Sequence, residues 1–173
     1  MATQTKKEVI QLGNALIATE VVTIMGTRRN GLMQKYAEWL IENYVHSENQ
    51  SPLSEKIIRE TLQSGAQRHF WIRVEGKSAP AIGSIVLVKK ETSPSLQEEW
   101  RIHITFAKKW KQNIGQATEI LRLAAKRFTG QGMKLFFESP ALEAADQKIL
   151  VSAGFIRNAE KSTSILYIFD HVG

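Results

Sequence analysis

The sequence predicts an α+β protein with a mixed, mostly antiparallel central sheet that helices flank on both faces. Two observations lead to this prediction. Three predicted strands follow one another in the middle of the chain, over Arg68–Glu75, Ala81–Lys89 and Glu98–Phe106. After residue 106 the pattern changes, and helices and strands alternate. A run of strands followed by β-α-β-α segments is typical of a sheet covered by helices.

The composition is that of an ordinary globular protein. The chain has 173 residues, 43% of them hydrophobic, and this length suits a single domain over residues 1–173. It contains no cysteine, which excludes a disulfide framework, a cysteine-based zinc site and a cysteine nucleophile. No apolar run approaches the roughly 20 residues of a membrane span, and no apolar segment follows Lys6 and Lys7 as in a secretory signal. We therefore expect a cytoplasmic protein that does not enter a membrane.

The first elements are predicted from the spacing of apolar residues. Residues 5–18 have mixed helical spacing, interrupted by Gly13. A β-branched run that ends in glycine predicts a strand over 20–26. Asn30 is a plausible cap for a helix through about Tyr44.

A second helix is predicted from Ser54 to near Gly65, and the three strands follow it. The last of these strands alternates between two kinds of side chain. Its apolar residues are Trp100, Ile102, Ile104 and Phe106, and its polar residues are Glu99, Arg101, His103 and Thr105. Such alternation places the two sets on opposite faces of the sheet, one toward the core and one toward water or a cleft.

Five further elements complete the chain. The spacing predicts a helix over Gly115–Phe128, a strand over Met133–Glu138, a helix over Ala141–Ala153, and strands over Phe155–Asn158 and Ser164–Phe169. Gly154 stands where a helix C-terminus favours glycine.

The positive charge is concentrated in one part of the chain. Residues 101–130 contain seven basic residues and one acidic residue, Glu119, whereas basic and acidic residues are equal in number elsewhere, so this window carries the whole formal net charge of +6. Such a concentration indicates a polyanionic partner, which can be nucleic acid, a membrane surface or a phosphorylated small molecule.

The segment Gln112–Ala117 lies in this basic window, between a predicted strand and a predicted helix. The first turn of a helix has free N–H groups and the positive end of the helix dipole, and small residues there allow a phosphate to approach the backbone. Lys108, Lys109 and Lys111 add positive charge beside it. An ordinary turn is the alternative, because the segment is neither a Walker loop nor a three-glycine dinucleotide motif.

From about Ala81 to Phe155 the chain resembles the GNAT superfamily of N-acyltransferases. The family pattern Arg/Gln-x-x-Gly-x-Gly/Ala before a helix is matched by Gln112, Gly115 and Ala117. The helix that ends in Gly154-Phe155 resembles a helix at the same place in the family.

The resemblance implies an acyl-CoA donor, with acetyl-CoA expected. Two neighbouring strands would splay apart to hold the pantetheine arm, which would pair with backbone of the first strand at Ile104, Phe106 and Ala107. The pyrophosphate would be held by N–H groups of Gln112, Asn113, Ile114, Gly115, Gln116 and Ala117. An amine, on a small molecule or a protein, would attack the thioester directly, so no cysteine is required.

The resemblance also suggests which group removes the proton. An acid at the start of the same strand does so in some relatives, and Glu99 fits that place; His103 lies further along the same polar face, and Glu138 is a weaker candidate. A solvated carboxylate and an ordinary sheet histidine are the structural alternatives. Where many relatives have a proton-donating Tyr, this chain has Leu150.

Three functional hypotheses therefore stay open. The first is an acyl-CoA-dependent N-acyltransferase. The second is an inactive binding or structural protein on the same scaffold, which Leu150 favours. The third is contact with nucleic acid or tRNA through the basic window. The four histidines show no metal-ligand spacing, and the sequence leaves a homodimer open.

Overall fold

The computed structural model describes residues 8–13, 16–21, 31–43, 53–76, 81–90, 98–110, 114–139, 144–160 and 165–169. The strands in these ranges are β1 (Val9–Gln11), β2 (Leu16–Val21), β3 (Gln67–Val74), β4 (Gly83–Lys89), β5 (Glu99–Phe106), β6 (Lys134–Ser139), β7 (Phe155–Glu160) and β8 (Ile165–Phe169). The helices are α1 (Gly31–Asn43), α2 (Glu55–Gln63), α3 (Ile114–Gly130) and α4 (Ala144–Ala153).

All of these strands form one sheet in the order β1-β2-β3-β4-β5-β6-β8-β7. Neighbouring strands are antiparallel except for β5 and β6, which are parallel. The prediction of a mixed, mostly antiparallel sheet with helices is therefore confirmed. A parallel pair needs a crossover connection, and α3 provides it between β5 and β6.

The helical spacing noted over residues 5–18 was misleading, because the described part of this segment is a β-hairpin. β1 pairs with β2, and Gly13 makes the turn with a φ of 72° that favours glycine. Ile10 is 2% exposed and its neighbour Val9 is 48% exposed, as the two-residue period of a strand requires. The strand predicted over 20–26 begins earlier, at Leu16; residues 22–26 lie outside the described residues.

The remaining predicted elements are present, with ends shifted by up to three residues. Ser54 caps α2 as predicted, because its hydroxyl accepts a hydrogen bond from the Ile57 N–H. α1 spans the helix predicted after Asn30, and Asn30 itself lies outside the described residues.

Helices cover both faces of the sheet. α3 and α4 pack on one face, where Ile120, Phe128 and Leu150 join the even-numbered core residues of β5 such as Ile102. α1 and α2 pack on the opposite face, where Tyr36 and Ile58 lie against Trp71 of β3. None of these four described helices combines the length and the apolar character that a bilayer crossing requires.

Candidate active site

The parallel strands β5 and β6 pair along only part of their length. The register joins Glu99 to Lys134, Trp100 to Leu135 and Arg101 to Phe136, and no further pair of described residues follows. β5 nevertheless continues to Phe106 and β6 to Ser139. The two strands therefore separate after Arg101 and leave an opening in the sheet, which we call the β5–β6 opening.

The β5 backbone presents hydrogen-bonding groups to this opening. The N–H of Ala107 bonds to Ile82 on the β4 side, whereas the carbonyl of Glu98 accepts from Lys134 on the β6 side. Because backbone groups alternate along a strand, Ile104 and Phe106 direct theirs toward β6. Among the described residues no strand pairs with them there, so the edge can accept an added extended chain.

The first turn of α3 lies at the end of the sheet where the opening widens, since α3 follows the C-terminal end of β5. This turn consists of Ile114, Gly115, Gln116 and Ala117 and contains no acidic residue. Its N–H groups have no acceptor within the helix, and the helix dipole makes this end positive. Ile114 and Gly115 are exposed, whereas Ala117 is buried. The other two predicted phosphate-binding residues, Gln112 and Asn113, lie outside the described residues.

The segment after β5 is fixed by contacts to its neighbours. The Lys108 N–H donates to the Asn43 side-chain oxygen at 2.9 Å, which ties the segment to the end of α1. The Trp110 ring stacks on Phe106 with centroids 4.9 Å apart. These contacts hold the chain between the strand edge and α3, and they give Trp110 a packing role.

Glu99 is held in ion pairs. Its carboxylate lies 3.1 Å from the Lys90 ammonium and 3.5 Å from that of Lys134, and the side chain is 13% exposed. The hydrogen bond from Lys90, together with the charge of Lys134, keeps the pKa of Glu99 below its ordinary value. Both features make the carboxylate a weak proton acceptor.

His103 lies in the unpaired part of β5, on the same face as Glu99 and about 13 Å further along the strand. Its ring centroid is 6.2 Å from that of Phe137 on β6, so the two rings lie across the β5–β6 opening. Burial, assisted by the positive charge of Arg101, lowers the pKa of His103 to about 4. The imidazole is therefore neutral at pH 7 and, like the Glu99 carboxylate, a weaker base than in water.

The Leu150 side chain is buried in the core between the sheet and α3 and α4. It has no polar group with which to protonate a leaving thiolate. Tyr167 of β8 is buried in the same core and pairs in register with Phe137.

A cavity of about 420 Å³ lies on the sheet face opposite α3, over β5, β6 and β8. Phe136, Leu166 and Ile168 provide its apolar surface, and Arg101 and Glu138 are among its charged residues. The sequence offered one signal that Arg101 could belong to this site: the alternation along β5 puts Arg101 between Glu99 and His103 on one face of the sheet. Phe136, Leu166 and Ile168 come from strands that the sequence could not place beside β5.

The described basic residues of the window 101–130 lie on both faces of the sheet and partly in ion pairs. Arg101 lies on the face opposite α3, whereas Arg122 pairs with Glu119 along α3 at 2.5 Å. Arg127 lies 3.4 Å from Glu8, which precedes β1. Among the described residues no cluster of histidine and carboxylate side chains could hold a metal ion.

Several solved structures are similar to this chain over most of its length. RimL, a ribosomal L7/L12 α-N-protein acetyltransferase, matches with a TM-score of 0.64 and 9% identity over 97% of each chain. RimJ from Mycobacterium smegmatis, in complex with CoA-disulfide, matches with a TM-score of 0.59 and 13% identity over 94% of this chain and 86% of its own. FdhC, a nucleotide-linked sugar GNAT, matches with a TM-score of 0.55 and 14% identity over 88% of this chain and 85% of its own.

The chain has the GNAT fold. The β5–β6 opening, which the resemblance to this superfamily predicted, is thus part of a GNAT-type sheet. Neither a protein-family model nor a curated protein sequence matches the chain.

Proposed function

We propose that this chain is an N-acyltransferase that moves an acyl group, with acetyl as the first choice, from acyl-CoA to an amine. The proposal depends above all on the β5–β6 opening. An unpaired strand edge at Ile104 and Phe106 leads there to a helix N-terminus without acidic residues. A long ligand that has amide groups in its middle and a pyrophosphate near one end suits this combination.

The donor would use backbone groups more than side chains. The pantetheine amides would pair with the β5 edge at Ile104 and Phe106. Ala107, predicted to take part, would only border the site, because its N–H bonds to Ile82 and its carbonyl accepts from Trp110. The pyrophosphate would meet the N–H groups of the first turn of α3, from Ile114 to Ala117, with Gln112 and Asn113 beside it. Gly115 has no side chain to obstruct this approach, which supports the fit of CoA to the site.

His103 is the proposed proton acceptor, because its ring faces Phe137 of β6 across the opening, whereas the Glu99 carboxylate is held by Lys90 and Lys134. The amine nitrogen forms a bond to the thioester carbonyl carbon, the carbon–sulfur bond breaks, and the ammonium proton passes to the imidazole. Glu99 would instead fix Lys90 and Lys134 through its ion pairs.

A CoA-binding protein without turnover is the second candidate function. Its support is Leu150, which occupies the position of a proton-donating Tyr in many relatives and is buried in the core. A thiolate is a tolerable leaving group near neutral pH, so the two candidates differ in turnover and not in donor binding.

Gly115→Glu tests the donor site. A carboxylate at a helix N-terminus is favourable for folding, so the variant should fold, while its charge repels a pyrophosphate. Acetyl-CoA at 100 times its Kd should stabilise the wild type by about 2.7 kcal/mol in thermal unfolding. Gly115→Glu should lose this stabilisation, and Gly130→Glu, at the other end of the same helix, should keep it.

Unchanged acetyl-CoA binding by Gly115→Glu would contradict the site, and no binding by the wild type would contradict the function. Release of the CoA thiol in the presence of a panel of amines then separates the two candidates. Turnover with any amine excludes the binding protein, and binding without turnover supports it.

A further inference from the structure

Arg101 is a cation in the cavity over β5, β6 and β8, and the described residues provide no counterion for it. Its Nε is buried and has no hydrogen-bond partner, and the ion pairs found among the described residues of the cavity do not include its guanidinium. A buried N–H without an acceptor costs free energy, and a carboxylate would supply the acceptor.

The other cations of the cavity already have partners. Lys89 lies 3.1 Å from Glu98, while Lys90 and Lys134 both contact Glu99. Glu138 is the second carboxylate of the cavity wall. Arg101 is therefore the group in the described lining whose positive charge is left for a ligand.

The position of Arg101 connects this cavity to the proposed reaction. Arg101 belongs to the last β5–β6 pair before the strands separate. His103 follows two residues later on the same face of β5, about 7 Å along the strand. A small molecule bound to the guanidinium can thus extend a second group toward the β5–β6 opening.

One part of the cavity wall is apolar, and the cavity has the size of a small-molecule site. Phe136 pairs in register with Arg101, and Ile168 of β8 pairs in turn with Phe136. An apolar surface therefore extends from Arg101 across two strands, about 10 Å. The volume of about 420 Å³ suits a ligand of this length.

We propose that the acyl acceptor is a free amino acid with an apolar side chain, and that Arg101 binds its carboxylate. The inference rests on the proposed N-acyltransferase function. The side chain packs on Phe136, Leu166 and Ile168, and the amine points toward His103 and the opening. The nitrogen then forms an amide with the acyl group, CoA leaves as the thiol, and the carboxylate stays bound to the guanidinium.

The test compares each amino acid with its own carboxamide, which differs in charge but hardly in shape. Phenylalanine and leucine should have kcat/KM values at least about 10-fold above those of phenylalaninamide and leucinamide, because a charge-assisted hydrogen bond contributes a factor of this order. Arg101→Gln should abolish this preference without changing the KM for acetyl-CoA, and Arg101→Lys should keep part of it. Arg59→Gln removes one positive charge from α2 and should leave the preference unchanged.

Binding of N-acetylphenylalanine, measured by titration calorimetry, provides a readout without turnover. The wild type should bind it more tightly than Arg101→Gln, and this result would support the cavity assignment even if no amine were acetylated. Equal turnover of acids and amides, unaltered in Arg101→Gln, would overturn the inference and leave the acyltransferase function standing. A second result would also overturn the inference. If Arg101→Gln changed only the preference between acetyl-CoA and succinyl-CoA, Arg101 would bind the donor and not the acceptor.

Discussion

The Tyr36 hydroxyl joins three elements in the interior of the protein. It lies 2.6 Å from His69 Nδ1 on β3 and 2.7 Å from Ser84 Oγ on β4, and Tyr36 itself belongs to α1. His69 Nε2 lies 2.9 Å from the Gln67 side-chain oxygen, which can only accept, so Nε2 donates there and Nδ1 accepts from Tyr36. Burial raises the pKa of Tyr36 and lowers that of His69 to about 4.

The neutral state of His69 predicts a loss of stability in mild acid. Its pKa is near 6.5 in the unfolded chain and about 4 in the folded protein, so between these values only the unfolded chain binds the proton. The contribution of neutral His69 to the free energy of unfolding is complete above pH 6.5, and it falls by roughly 3 kcal/mol as the pH decreases to 4. Urea unfolding from pH 7 to pH 4 should show a shallower decline for His69→Gln than for the wild type, and parallel curves would contradict this assignment.

Glu99 and His103 show how much the sequence of β5 alone can predict about the site. Alternation placed both on the polar face of β5, and the structure agrees. It could not reveal that Lys90 and Lys134 reach Glu99 from either side, because β6 becomes the neighbour of β5 only after the α3 crossover. That the described residues leave the Arg101 Nε without a hydrogen-bond partner depends on the same neighbours, so the sequence could not reveal it either.

Among the elements, the end of α4 is the most constrained turn. Gly154 has a φ of 108°, and a Cβ there would lie 3.0 Å from the Phe169 ring on β8. The ring packs against Phe155, with centroids 5.2 Å apart, so it has little room to move.

Gly154→Ala should therefore lower the free energy of unfolding by about 1–3 kcal/mol, from backbone strain and crowding together. Gly130→Ala is the matched control, since a Cβ at Gly130 meets nothing within 4 Å and its φ is not positive. Its effect should be a gain below about 1 kcal/mol. Chemical denaturation of both variants measures the difference, and equal effects would show that Gly154 is not constrained.

Helices were predicted well where a capping residue or a terminal glycine agreed with the helical spacing of apolar residues, as at Ser54 for α2 and Gly154 for α4. It failed at the N-terminus because β1 has three residues, too few to establish a two-residue period. β1 is a strand because it pairs with β2, a contact that three residues of local sequence do not reveal.

For the whole molecule, an ion-pair cluster connects the N-terminal hairpin to the sheet and to α3. Arg68 on β3 lies 2.7 Å from Glu20 on β2 and 2.9 Å from Glu8, and Glu8 also pairs with Arg127 in the last turn of α3. The Glu20 side chain is 8% exposed, so its charge depends on this partner.

Arg68→Met should destabilise the protein by about 3 kcal/mol, because it leaves the largely buried Glu20 carboxylate without a cation. Arg59→Met removes an exposed i,i+4 pair with Glu55 on α2 and should cost less than about 0.5 kcal/mol. Urea denaturation at pH 7 compares the two. Similar losses would mean that the Arg68 cluster is no stronger than a surface pair.

The β5–β6 opening divides the sheet into two blocks. β1 to β5 form an antiparallel block of five strands, and β6, β8 and β7 form another of three. Within the described residues, three residue pairs join the blocks at one end of the opening, and α3 packs across both. An extended ligand in the opening would add contacts between the two blocks beyond these three residue pairs. Occupancy would then change how rigidly the blocks move together, and unfolding of the loaded protein would become a more cooperative event.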